Sequence, residues 1–229
     1  MPEWWTYTLS DFLMFSPRTY YRLIERHNAA VWPGQILTLG LALVMVGLSR
    51  RPAAMRGRLV AGILAALWAW VAWAFVWRRY ATINWAASYL ALLLAIQVLV
   101  VVWTGVAREG MRFGWRRDAA GILGLALFAG ALVLYPALAP ALGRGWRQAE
   151  VFGVAPDPTV IATLGMLLMG SEPPRWGLLV VPVLWCLVSG ATMLAMGSPE
   201  AWVLLSAPLA AVGAAAWSRQ SQPPVIRRL

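Results

Sequence analysis

What most constrains this chain is a recurrence of apolar runs, each about as long as a bilayer is thick and most of them closed off by arginine. A helix needs about 20 mainly apolar residues to cross a hydrocarbon core roughly 30 Å thick. Six runs are of that order: Trp32–Leu48, Leu59–Trp77, Trp85–Ala107, Ala119–Leu142, Trp176–Met196 and Pro199–Trp217. A seventh, Thr159–Gly170, is apolar but short, and its dozen residues rise only about 18 Å as a helix. It reads as a short span, part of a broken span, or a re-entrant segment. Of 229 residues, 61% are hydrophobic and 12% charged, where soluble domains hold roughly 45–50% and about 25%. That excludes a soluble domain, a disordered chain and a disulfide-rich secreted module. The expected fold class is all-α integral membrane, with about seven transmembrane helices.

The charges suggest how the runs are oriented. All 19 basic residues are Arg, against 9 acids, for a formal charge of +10. They stand in short clusters between apolar runs, such as Arg50-Arg51, Arg78-Arg79 and Arg116-Arg117. This pattern suits membrane orientation and anionic headgroups rather than a continuous nucleic-acid face, so the bilayer is the expected partner and nucleic acid is not. Seven spans with the N-terminus outside place 12 arginines inside and 7 outside; if the short segment does not cross, the balance becomes 8 to 11. The positive-inside rule favours seven spans, N-out and C-in. Trp32, Trp77, Trp85, Trp176, Trp202 and Trp217 mark span ends as an aromatic belt. Trp70, Trp73 and Trp77 share one helical face, read as lipid contact or packing ahead of a stacking wall for a flat ligand. In the last run, Ser206, Ala210, Ala214 and Ala207, Ala211, Ala215 form small-residue stripes that let helices approach closely.

Two stretches stand out from this apolar background. In the first, Ser16-Pro17 is a helix start, a Ser N-cap followed by Pro at the first helical position. From there Tyr20, Ile24 and His27 share one face and Arg18, Arg22 and Glu25 another, the pattern of an N-terminal interfacial amphipathic helix. Such a helix serves as an anchor, a lid or a docking surface. The interfacial motif singled out is Asp11, Arg18, Tyr20, Tyr21 and Arg22. The second stretch is Phe152-Gly153-Val154-Ala155-Pro156-Asp157-Pro158-Thr159. Its two prolines prevent a continuous helix, and Asp157 is placed to cap a helix starting at Pro158. Interrupted helices are where transporters coordinate ions and small substrates. The expected substrate or ion site is therefore Asp157, Thr159, Pro156, Pro158 and nearby Glu150, with a plain N-cap in an outer loop as the alternative.

Other chemistry finds no support. The single His builds neither a bis-His haem nor a zinc cluster, no Gly-rich phosphate loop occurs, and no acid lies within the six long runs beyond Glu200 at the edge of the last. A carboxylate relay and an enzyme are accordingly not expected, nor is any metal or cofactor. Cys186 sits in an apolar run and reads as a packing residue.

The opening Trp4-Trp5-Thr6-Tyr7, continuing through Leu9-Ser10-Asp11-Phe12-Leu13 and Phe15-Ser16-Pro17-Arg18-Thr19-Tyr20-Tyr21-Arg22-Leu23, resembles a bacterial family of multi-spanning membrane proteins known only as a domain of unknown function. Pro156, Pro158-Thr159, Ile161 and Thr163-Leu164-Gly165 belong to the same resemblance. It implies a compact seven-span bundle and no activity. It also implies a Cys between the two prolines in many members; Asp157 stands there in this chain, so no thiolate metal or redox role carries over.

The chain is thus expected to form one membrane domain, 1–229, with an interfacial segment (1–31), a helical bundle (32–217) and a cytoplasmic tail (218–229). It is expected in the bacterial inner membrane as a multi-pass protein. Two functions are carried forward. One is a small-solute or ion permease with its site at a proline-broken helix. The other is a non-catalytic accessory or assembly subunit that docks a membrane-protein partner, or a second copy, through the N-terminal helix and the last span.

Overall fold

The computed structural model describes residues 13–51, 53–108, 111–114, 116–171 and 176–220. The Trp4–Phe12 motif with Asp11, as well as Arg175, Arg227 and Arg228, lies outside these residues. Among the described residues there is no β-strand, only an isolated bridge pairing Phe113 with Gly170. Helix α1 (Pro17–Val31) begins as its sequence requires: the Ser16 hydroxyl accepts from the Thr19 N–H at 3.2 Å, and Pro17 occupies the first position. Tyr20, Ile24 and His27 are its buried residues, so the expected apolar face is the face that packs. At Trp32-Pro33 the chain turns by 83° into α2 (Gly34–Leu48).

The long apolar runs then follow as helices: α3 (Ala54–Trp70), continued by a π-helical turn over Val71–Trp77, and α4 (Ala87–Val101), continued likewise to Ala107. Next come α5 (Ala119–Ala129), a π-helical turn over Gly130–Leu134, and α6 (Tyr135–Ala141) in one unbroken run. Pro136 explains that widening, because it offers no N–H and its ring crowds the carbonyl one turn earlier. The chain ends in α7 (Pro156–Leu168), α8 (Trp176–Ala195) and α9 (Glu200–Gln220). Five helical runs are long and apolar enough to cross a membrane, and the bent pair α1–α2 is a sixth candidate.

All thirteen residues of α7 are buried. A helix apolar nearly all round belongs inside a bundle, and α7 packs against α3, α5, α8 and α9. Its crossing with α5 is backbone on backbone. A Cβ on Gly165 would stand 2.5 Å from the Gly124 carbonyl oxygen and 2.7 Å from the Phe128 nitrogen. Only glycine fits both sides of that crossing. The Trp68 indole N–H of α3 donates to Thr163 Oγ1 of α7 at 2.9 Å, fixing rotation. Between α4 and α8, Gln97 Nε2 donates to the Leu178 carbonyl at 3.1 Å. That carbonyl lies four residues before Pro182, so the proline has left it without its usual helical partner.

Helix α7 joins the two ends of the bundle. Before it, residue 149 is held by α1, whose Asn28 amide donates to the carbonyls of Arg147 at 2.9 Å and Ala149 at 2.8 Å. Beyond its last turn the Met169 carbonyl accepts from the Gly114 N–H at 3.2 Å, and the Ser171 N–H reaches the Arg112 carbonyl at 2.8 Å. At that far end Arg58 also bonds the Val106 carbonyl. Of the two small-residue stripes of α9, Ala207, Ala211 and Ala215 are buried, while Ser206 and Ala210 face outward. Cys186 is fully buried, as a packing residue should be.

Candidate functional site

The α1 end of the bundle gathers the buried acids of the described residues, Glu150, Asp157 and Glu200. Its centre is Asp157, fully buried at the second position of α7. It is not the N-cap that the sequence suggested. The helix begins at Pro156, with Ala155 extended ahead of it (φ −109°, ψ 151°) and no side-chain cap. Both prolines fall in the first turn, where backbone N–H groups have no helical partner in any case. They open a helix rather than break one, and residues 151–155 before them form a turn.

With its backbone role removed, the Asp157 carboxylate turns to the neighbouring helices. Oδ1 accepts from the Trp185 indole N–H at 2.7 Å, and Ser189 Oγ lies 2.9 Å from both oxygens. Oδ2 accepts from the Tyr135 hydroxyl at 3.1 Å. Trp185 and Ser189 are one turn apart on α8, and Tyr135 sits just after the π-helical turn that precedes α6. An acid contributed by the short helix thus reaches partners on the long apolar helices. Counting acids along each run, as the sequence reading did, gives no sign of this packing between helices.

Thr159 does not join that centre. Its hydroxyl accepts from the Gly153 N–H at 2.8 Å and donates to the Ala155 carbonyl at 2.6 Å, so it pins the turn entering α7. Gly153 has φ +71°, and a Cβ there would meet Thr38 and Leu67 below 3 Å, which requires glycine twice over. Pro156 lines the site through a small cavity, whereas Pro158 is simply buried in the first turn.

Glu150 forms a second buried carboxyl, 5% exposed. Tyr20 of α1 donates to its Oε1 at 3.2 Å, while Oε2 is buried with no hydrogen-bond partner. Burial, with Asp157 and Glu200 adding repulsion, pushes the Glu150 carboxyl well above the usual carboxylate range. A third acid, Glu200, opens α9 and is paired with Arg144. Tyr21 donates to Glu200 Oε2 at 3.1 Å and lies 3.0 Å from Ser198 Oγ, with the Arg144 guanidinium 3.9 Å above its ring. The interfacial residues therefore divide. Tyr20 and Tyr21 close the site from α1, whereas Arg18 and Arg22 face a separate cleft.

Beside the Trp185 and Ser189 partners of Asp157 lies a cavity of about 10 Å³, room for about one water. Its walls include Tyr20, Tyr80, Trp185, Ser189 and Thr192. Rings shut it on the α1 side, with Tyr20 and Tyr80 centroids 5.9 Å apart and Phe75 and Tyr80 6.3 Å apart. Tyr135, Trp185, Ser189 and Glu200 escaped the sequence reading. The one signal for them was a Trp and a Ser four residues apart inside an otherwise apolar run.

Residues 18–223 match the model of a family described as a family of unknown function (DUF6064). No curated protein and no solved structure matches the chain.

Proposed function

The chain belongs to DUF6064, a family without an assigned activity, so function rests on the site's own chemistry, and we propose that this is a small-solute or ion permease centred on Asp157 and Glu150. The observation that carries this reading is one of charge. Two carboxyl groups are buried together, and among the described residues no arginine lies within ion-pair distance of either, Arg144 being engaged by Glu200. Burying a carboxylate without a cation costs several kcal/mol. A centre of this kind favours taking up a proton or a small cation, and Oε2 of Glu150 has a vacant acceptor for it. Asp157 then anchors the bound charge through its Trp185, Ser189 and Tyr135 partners. Tyr20 links the state of Glu150 to α1, which acts as a lid.

In this reading α2, α3, α4, the α5–α6 run, α7, α8 and α9 make seven crossings of a bacterial inner membrane, with α1 outside and the C-terminus inside. Support comes from the chain alternating between the two ends of the bundle, and from the sequence's own count of 12 arginines to 7 for seven spans. The accessory reading leaned on α1 as a docking face, but Tyr20, Ile24 and His27 are spent within the chain. What it retains is the outward α9 stripe of Ser206 and Ala210.

Reconstituted vesicles test the permease. With an internal pH dye and an imposed inside-negative potassium diffusion potential, the wild type should acidify faster than protein-free vesicles if the proton is carried, and should take up radiolabelled sodium or rubidium (standing in for potassium) faster if a metal cation is. Glu150→Gln and Asp157→Asn should return the rate to the protein-free level. Wild-type vesicles as tight as empty ones to all three cations, or variants with unchanged flux, would refute the reading.

A further inference from the structure

A second site lies beside the lid, and it is built from opposite charge. Between α1 and the π-helical end of α3 runs a cleft of about 840 Å³. Arg18, Arg22 and Arg26 line one wall at four-residue spacing, and Arg78 and Arg79 line the other. The cleft wall contains no Asp or Glu. None of the five guanidinium groups is ion-paired among the described residues, where the ion pairs are Arg116–Asp118 and Arg144–Glu200. Like charges one turn apart destabilise a helix, a cost that an anion held between the two arginine sets would offset. The wall between the two arginine sets is apolar: Trp70 and Trp73 face outward, 41% and 53% exposed, with the Arg78 guanidinium 5.7 Å from the Trp73 ring.

We propose that this cleft binds an anionic glycerophospholipid, its phosphate among the arginines of α1 and α3 and its acyl chain along Trp70 and Trp73. Each part of the ligand has a matching part of the cleft. Guanidinium forks suit phosphate oxygens and can hold them bidentately. Five of them exceed what one zwitterionic headgroup can neutralise. The volume is several times that of a bare phosphate, and the indoles lie on the outward face of a helix apolar enough to cross a membrane, where a free anion gains nothing but an acyl chain does. Because α1 carries both this arginine row and the Tyr20 bond to Glu150, a bound lipid would hold the lid in place. The lipid site itself stands whether or not the chain transports anything.

Native mass spectrometry of the protein in mild detergent, titrated with palmitoyl-oleoyl phosphatidylglycerol or the matching phosphatidylcholine, tests this directly. The expected result is a phosphatidylglycerol adduct favoured over phosphatidylcholine by about tenfold or more. Arg22→Gln with Arg26→Gln, and separately Arg78→Gln with Arg79→Gln, should each abolish that preference. These side chains lie outside the core, and a single charge-keeping variant, Arg78→Lys, should retain most of it. Equal binding of the two lipids, or a preference that survives both double variants, would overturn the site. Displacement of phosphatidylglycerol by 10 mM inorganic phosphate, a concentration chosen as roughly saturating for a millimolar site, would show that a free anion is the ligand and overturn the lipid assignment.

Discussion

Replacing Gly165 with alanine probes the crossing that holds α7, and with it Asp157, in place. The new Cβ would lie 2.5 Å from the Gly124 carbonyl oxygen, 2.7 Å from the Phe128 nitrogen and 3.1 Å from its Cα. An ordinary carbon–oxygen contact is roughly 3.4 Å, so α5 and α7 must part by about 0.9 Å. All three obstructing atoms are backbone, and no side chain can rotate aside. Overpacking of this kind costs about 1–3 kcal/mol, and rigid neighbours place this case near 3. Alanine recovers up to about 1 kcal/mol through helix propensity, leaving a net loss of about 2. For a chain of this size that lowers the unfolding midpoint by about 4–8 °C. Cys186 supplies the assay, because it is the chain's one cysteine and is fully buried, so a thiol-reactive fluorophore reports unfolding. Gly213→Ala is the control, since a Cβ there meets nothing within 4 Å and should hold or raise the midpoint. If Gly165→Ala melts at or above the wild-type temperature, the two helices do not cross at these glycines.

Other substitutions test separate joints of the structure. Gln97→Met should cost about 1–3 kcal/mol by leaving the Leu178 carbonyl unsatisfied beside Pro182, lowering the same midpoint. A variant that also replaces Pro182 with alanine should recover much of this loss, as the helix then supplies its own donor. Trp68→Phe should cost only about 1 kcal/mol, because Thr163 keeps its bond to the Thr159 carbonyl when the indole donor is gone. Asp118 caps α5 by accepting the Gly121 N–H at 3.1 Å, and the Arg116 side chain beside it holds its carboxyl below the usual range. A depressed carboxyl stabilises the fold above its unfolded pKa and loses that contribution as pH falls through the folded value. The midpoint gap between wild type and Asp118→Ala should therefore be present at neutral pH and close in strong acid; a gap independent of pH would show that the carboxylate charge is not what stabilises the cap.

What could be read from the sequence divides by the range of the interaction involved. The start of α1 was legible because a Ser N-cap and a Pro at the first position act within four residues, and its packed face because Tyr20, Ile24 and His27 repeat at helical spacing. The long helices were legible because each is an apolar run of about the length that would cross a bilayer. Around α7 these local rules stopped discriminating. A helix buried on every side has no polar face to give its orientation away, and two prolines are equally consistent with breaking a helix or opening one. The choice was made by residues far along the chain. Asp157 is free to leave the backbone because Trp185, Ser189 and Tyr135, lying 22 to 32 positions away, offer it donors. Sequence patterning could mark Asp157 as the odd acid beside an apolar run, but finding its partners required knowing which helices flank α7. The same limit hid the orphaned oxygen of Glu150, since an unmet hydrogen bond becomes visible only once every neighbour that could have met it has been placed. Other buried side chains, Gln35 and Gln97 among them, also leave an oxygen unmet, but only the Glu150 oxygen belongs to a carboxyl group that can take up a proton, which is why the permease proposal turns on it.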